Sequence, residues 1–283
     1  MVELYPALDV KTPTGSQTIN SLLEALLDDF NPFAIEINKD SSKRIYFFSA
    51  IDRDHALEAI TSSFSLKTIL VESVDVPNEN WAERSQASLR AIKVGNTIIA
   101  PPWDIPKLSD NKINVIIIKP SMGFGTGHHA STRLCLHALQ DIDLKNRFVI
   151  DVGTGSAILS IAAAKQGAKR VFAIDTDSQA IETASENVHT NNVIHLVQLE
   201  HKDVRLCEEL EKGDVVMANV SAAIICQETA TFLGLVKDQG ILVVGGLMAS
   251  EESQVIETLK HFAICKKRYS EDEWLSLVFQ CHA

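Results

Sequence analysis

Apolar and polar positions divide the chain into three stretches. In residues 1–76, Val2–Val10 reads as a strand, and Ser16–Phe30 sets Leu22, Leu23, Leu26, Leu27 and Phe30 on one helical stripe. Asn31-Pro32 ends that helix, because proline cannot continue it. Ala34–Ile37 and Arg44–Ser49 read as strands across the polar turn at residues 38–43. Asp52–Phe64 is helical, with Leu57, Ile60 and Phe64 on one face, and Lys67–Val74 is again a strand. This β-α-β-β-α-β order predicts a small ferredoxin-like α+β domain. The stretch carries no catalytic constellation, so it reads as a recognition or packing module.

Val76-Pro77-Asn78 is a break, and a connecting helix is expected within residues 77–92, over Trp81–Ile92. Val94-Gly95-Asn96-Thr97 is a turn, and Thr97–Ala100 is a short strand halted by Pro101-Pro102. From residue 93 to 283 strands and helices alternate. The strands are Val115–Lys119, Phe148–Val152, Arg170–Ile174, Asp214–Ala218 and Gly240–Val244. The helices are Ser131–Gln140, Ser156–Gln166, Ser178–His189, Ala222–Val236 and Ser250–His261. Alternation of this kind predicts an α/β, Rossmann-like, mainly parallel sheet covered on both faces. The end differs. Ala263–Arg268 and Trp274–Gln280 are separated by too few residues for a crossover helix, so they pair antiparallel.

Composition narrows the function classes. With 46% hydrophobic and 22% charged residues, the 283-residue chain is an ordinary globular sequence rather than a disordered or collagen-like one. Its net charge of −11 disfavours bulk electrostatic binding of nucleic acid. The five cysteines, at 135, 207, 226, 265 and 281, show no CxxC spacing and fit free thiols in a reducing cytoplasm. No apolar run reaches the ~20 residues of a membrane span, and the N-terminus lacks a secretory pattern. The expectation is a cytoplasmic protein without a membrane partner.

The candidate chemistry sits at strand ends. Asp151-Val152-Gly153-Thr154-Gly155-Ser156-Ala157 is a strand-to-helix turn in which glycine admits a ligand close to the backbone. A dinucleotide fingerprint needs a third glycine at 158, where Ile158 stands, which counts against an NAD-linked oxidoreductase. Asp175, at the end of the next strand, can accept hydrogen bonds from both hydroxyls of a ribose. A nucleoside without a diphosphate depends most on such a clamp, and S-adenosylmethionine is one. The alternative is an ordinary α/β turn with Asp151 as a local cap.

A second loop, Gly123-Phe124-Gly125-Thr126-Gly127-His128-His129, offers Phe124 to an apolar or π surface. Its adjacent histidines cannot both face one metal from a helix, and capping or bracing suits them better; no metal site is expected. Asn219 ends the Asp214–Ala218 strand at the sheet edge where open α/β sheets bind ligands. It can cap the next helix or orient a reacting amine.

The loop Gly123–Thr132 resembles the signature of the bacterial ribosomal protein L11 methyltransferases (PrmA). Asp151–Ser156, Ala173-Ile174-Asp175-Thr176-Asp177 and Ala218-Asn219-Val220 follow in the order that family shows, with Asn80-Trp81, Ile92-Lys93-Val94-Gly95 and Glu273-Trp274 around them. The likeness runs from about residue 78 to the C-terminus. It implies a seven-stranded class I methyltransferase domain at 93–283, which uses S-adenosylmethionine. It also implies a hinged linker at 77–92 and a substrate-recognition domain at 1–76 that binds a ribosomal protein of the large subunit. Family cofactor contacts transfer to Thr132, Gly153, Asp175 and Asn219; the loop reading adds Phe124 and Gly155. Ala157 replaces the family's last loop glycine, and Gly245 stands where serine is frequent.

The expectation is therefore an S-adenosylmethionine-dependent protein N-methyltransferase acting on lysine side chains and an N-terminal α-amine, with Asn219 aiming the amine. Another protein or a small molecule is the alternative acceptor. An oxidoreductase and a catalytically silent binding module are the remoter alternatives.

Overall fold

A computed structural model describes residues 4–12, 19, 23, 26–27, 30, 32, 34–37, 42–47, 49–64, 69–77, 89–107, 113–119, 127–207 and 210–282. The chain forms two compact units, residues 1–84 and 85–283.

In the first unit, β1 (Leu4–Lys11), β2 (Ala34–Ile37), β3 (Lys43–Tyr46) and β4 (Leu70–Pro77) form one antiparallel sheet in the order β2-β3-β1-β4. That order is the ferredoxin-like one expected from the element sequence. α1 (Ala50–Ser63) is capped by Ser49, whose hydroxyl accepts from the Asp52 amide at 3.1 Å. It buries Ala56 and Ile60 against Leu8, Ile45 and Phe47. Of the helix expected at 16–30, only Ile19, Leu23, Leu26, Leu27 and Phe30 are described. The first four are helical, and Leu23 and Leu27 join the same core. The connecting helix falls largely on residues 78–88, outside the described residues. Its expected C-terminal end is not helical, because Leu89–Ala91 have no regular structure and Ile92 opens a strand.

The second unit is built on seven strands: β8 (Phe148–Val152), β9 (Arg170–Asp175), β10 (Val197–His201), β11 (Gly213–Asn219), β12 (Val236–Met248), β13 (Ala263–Glu271) and β14 (Trp274–Cys281). Their order is β10-β9-β8-β11-β12-β14-β13. The first five are parallel, and β14 runs antiparallel to both β12 and β13. Alternation along each strand splits the core. Val149, Val215 and Met217 pack with α2 (Ala130–Gln140), α3 (Ile158–Lys165) and α4 (Ser178–Thr190). Ile150, Val216 and Ala218 pack with α5 (Ala222–Gln227), α6 (Thr229–Leu235) and α7 (Glu252–Leu259) on the other face.

Three differences from the sequence expectation have physical causes. β10 was not anticipated: its alternation of Val197 and Leu199 with Gln198 and Glu200 belongs to an edge strand beside β9 alone. The strand expected at 115–119 does not join the large sheet. It is β7 (Asn114–Ile117), which pairs in parallel with β6 (Thr97–Ala100), itself antiparallel to β5 (Ile92–Val94). The single helix expected over 222–236 is two, broken where the Thr229 hydroxyl donates to the carbonyls of Ile225 and Cys226. Among the described residues no helix is long and apolar enough to cross a membrane.

Candidate active site

The sheet order reverses direction at β8. The chain leaves it to build β9 and β10 on one side and returns to build β11 and β12 on the other. Loops following β8 and β11 diverge at such a point and leave a crevice at the C-terminal strand ends.

After β8 the chain turns through Gly153, Gly155 and Ala157, with φ of 71°, 54° and 64°. The amides of Gly153 and Thr154 both donate to the carbonyl of Ile174, at 2.9 and 3.0 Å, which ties the loop to the neighbouring strand. Beneath the loop the Asp151 carboxylate is almost wholly buried. Its Oδ2 accepts from the Thr154 hydroxyl at 2.8 Å and the Ser160 hydroxyl at 2.6 Å. Burial pushes its pKa up to about 6 against the pull of those two hydroxyls. Asp151 is thus an internal brace for the loop.

Asp175 ends β9 beside that turn. Its Oδ2 accepts from the Gly155 amide at 2.8 Å and its Oδ1 from the Asp177 amide at 3.0 Å. Each oxygen keeps a further lone pair. A cleft of about 350 Å³ opens here, lined by Gly153, Asp175, Ile174, Val204, Val220 and Asp203 among others. Asp203 follows β10 and was missed in the sequence because β10 was missed. Its carboxylate is held down at about 2 by the Arg205 guanidinium. A larger hollow of about 480 Å³ lies between Arg170, His195 and Glu211, and no described residue of either glycine loop lines it.

Asn219 ends β11 and does not cap the following helix, whose N-cap is Ser221. Its Nδ2 faces the Thr132 hydroxyl at 3.5 Å, and Thr132 is buried in the first turn of α2. Its Oδ1 is buried and meets no hydrogen-bond donor among the described residues. A buried acceptor left in this state costs about 1–3 kcal/mol, which a ligand N–H would recover.

The second glycine loop is described only from Gly127 onward; Phe124 lies outside the described residues. His129 caps α2, its Nδ1 accepting from the Ser131 amide, and its ring meets Trp274 edge-on at 4.4 Å. Arg133 grips Glu271 with two nitrogens and donates to the His128 carbonyl, which fastens this end of the loop to the β13–β14 hairpin. Bracing is the role these histidines play. The structure thus joins Gly155 to Asp175, places Gly153 and Asp175 in the lining of the cleft, and pairs Asn219 with Thr132 at the end of β11.

The family model described as ribosomal protein L11 methyltransferase (PrmA) matches residues 12–282. The chain belongs to that family. A ribosomal protein L11 methyltransferase of Heliobacterium modesticaldum is 33% identical, over 93% of this chain and 86% of its own length. One from Campylobacter lari is 36% identical, over 72% of this chain and 70% of its own. The crystal structure of a ribosomal protein L11 methylase from Lactobacillus delbrueckii subsp. bulgaricus superposes with a TM-score of 0.63 at 25% identity. It covers 69% of this chain and all of the other. As a PrmA family member the chain is a methyltransferase, which sets aside the oxidoreductase and silent-module alternatives.

Two expected outcomes follow from the packing. A Cβ at Gly245 would lie 2.2 Å from Cys135 Sγ and 3.0 Å from Asn219 Oδ1. Gly245→Ala should therefore cost about 1–3 kcal/mol by overpacking, and Cys135→Ala in the same chain should return part of that loss. Urea unfolding of the four chains reads the coupling; strictly additive effects would show that the two positions do not compete for space.

The second concerns Asp151. Its pKa is raised on folding, from the ordinary 3.8 to about 6, so the native state holds its proton to higher pH than the unfolded chain. Its contribution therefore falls as pH rises from about 4 to 6, by up to ~3 kcal/mol. The unfolding free energy of the native chain relative to Asp151→Asn should decline over that window and level off above it. A difference independent of pH from 4 to 7 would contradict the assignment.

Proposed function

We propose that this methyltransferase uses S-adenosylmethionine to methylate amino groups of ribosomal protein L11. The observation that carries the reading is the buried Oδ1 of Asn219 at the end of β11, which meets no donor among the described residues, next to Val220, which lines the cleft with Gly153 and Asp175. The residues fit such a cofactor. Asp175 has free lone pairs for the ribose hydroxyls, and the apolar side chains of Ile174, Val204 and Val220 suit an adenine ring. Gly153 and Gly155 bring backbone close to the ligand. Phe124 and Thr132 are further cofactor contacts in this reading.

S-adenosylmethionine, when bound, supplies a methyl already activated by the positive charge on sulfur. The protein's task is to place a neutral amine in line with it and to exclude water. Asn219 Oδ1 accepts an N–H of that amine and so fixes the direction of its lone pair. Asp151, with its pKa near 6, does not serve as the base, because it is sealed beneath the loop by Thr154 and Ser160. The amine therefore has to arrive deprotonated, which an α-amine near pH 8 does far more readily than a lysine near 10.4. The relatives are named for L11, which supports it as the acceptor; another protein or a small molecule is the alternative that the mass measurement separates. Residues 1–76 are the recognition module and residues 77–92 the hinge in this proposal.

Incubation with L11 and S-adenosylmethionine should add 14 Da increments to the intact mass of L11, whereas an unchanged mass would exclude this acceptor. Asp175→Ala should weaken cofactor binding roughly ten- to a hundredfold, the loss expected for hydrogen bonds to a charged group. Unchanged affinity by calorimetry in a folded variant would remove Asp175 from the ribose role.

A fragment of residues 85–283, once shown to be folded, should still bind S-adenosylmethionine but lose most methylation of L11. The tether converts delivery of the amine into an intramolecular event at up to millimolar effective concentration for a short linker. Equal methylation by fragment and full chain would place recognition in the catalytic domain.

A further inference from the structure

We propose that Asn187 is a positioning residue that locks the first glycine loop to the chain at Lys119, just upstream of the second, and thereby sets cofactor affinity; this rests on the cofactor reading above. Asn187 lies on the inner face of α4 and is completely buried. Its Oδ1 accepts from the Lys119 amide at 2.9 Å, and its Nδ2 donates to the Ser156 carbonyl at 3.0 Å. One neighbour is an N–H and the other a C=O, so only one orientation of the amide satisfies both.

The two backbone groups have different addresses. Ser156 belongs to the first glycine loop, between Gly155 and Ala157. Lys119 lies just upstream of Gly123, the first glycine of the second loop. Ser156 and Lys119 are 37 residues apart in the chain, and one buried side chain bridges them.

The next turn of α4 repeats the device without reaching the first loop. Asn191, also buried, accepts from the Ile117 amide at 2.9 Å and donates to the Ile117 carbonyl at 2.6 Å. It thus extends the pairing edge of β7, as a neighbouring strand would. Its second donation goes to the Asn187 carbonyl at 2.8 Å, within its own helix. Asn191 is therefore a matched internal reference: same side-chain chemistry one turn further along, at the C-cap of the same helix, a backbone partner only two residues away at Ile117, but no bond to the first glycine loop.

Asn187→Asp keeps an acceptor for the Lys119 amide and sets a carboxylate oxygen against the Ser156 carbonyl, so it breaks the bridge at one end. Calorimetric binding of S-adenosylhomocysteine to the full-length chain, with thermal unfolding beside it, gives a readout besides activity. Kd should rise about tenfold in Asn187→Asp, while Asn191→Asp, with a similar loss of thermal stability, should change it by less than about twofold. With saturating cofactor, kcat of Asn187→Asp should stay within about twofold of the native value, the defect appearing in the cofactor KM. Asn187→Ala against Asn191→Ala makes the same comparison without requiring the aspartate variants to fold.

An unchanged Kd in folded Asn187 variants would overturn the proposal. So would an equal rise in both series that follows the loss of stability, since Asn187 would then be structural only. A native chain that fails to bind S-adenosylhomocysteine would instead overturn the cofactor reading on which the proposal stands.

Discussion

The reversal of strand order at β8 is the constraint on which the rest of the second unit depends. A parallel strand flanked by β9 on one side and β11 on the other must send its loops apart, so backbone at its C-terminal end has no neighbouring loop to pair with. Every polar group there needs a partner from elsewhere. The Gly153 and Thr154 amides share the Ile174 carbonyl, the Gly155 amide takes Asp175, and the Ser156 carbonyl takes Asn187. The crevice is therefore lined by groups already fixed in place, which is what a site acting through position rather than acid–base chemistry requires.

Three polar side chains at this edge meet different fates, decided by depth. Asp151 lies deepest, accepts from the Thr154 and Ser160 hydroxyls, and holds the loop from below. Asp175, at the mouth, uses one lone pair on each oxygen for backbone and keeps the others. Asn219 faces Thr132 on its donor side and meets no donor on its acceptor side among the described residues. Sequence spacing nominated all three but could not rank them, because an aspartate leading into a glycine turn serves equally as brace or as ligand contact until its burial is known.

What was legible in the sequence was what local chemistry dictates. The glycine turn after Val152, the terminal hairpin with its short link, and the ferredoxin-like order of the first unit all rest on neighbouring residues. What was not legible depends on partners distant in the chain. β10 is a short edge strand whose pattern differs little from a polar loop, and without it Asp203 had no address. β7 has a strand's composition, but it pairs with β6, and the backbone at Ile117 and Lys119 is held by Asn191 and Asn187 on a helix some 70 residues later. Two buried asparagines on the inner stripe of an otherwise amphipathic helix were the available signal, since such residues remain buried only when hydrogen-bonded.

The two departures from the family pattern are absorbed locally rather than at the site. Ala157 occupies a left-handed conformation at φ 64° that costs an alanine about 1–2 kcal/mol relative to its right-handed form. Its methyl is fully buried in the core shared with α2 and α3, and removal of that methyl from water offsets part of the cost. Gly245 leaves the space that Cys135 Sγ fills, and burial keeps that thiol neutral by raising its pKa to about 12. A neutral, weakly polar sulfur beside Asn219 offers no competing charge and only a poor donor. The space beside a strand glycine is thus filled from the neighbouring helix.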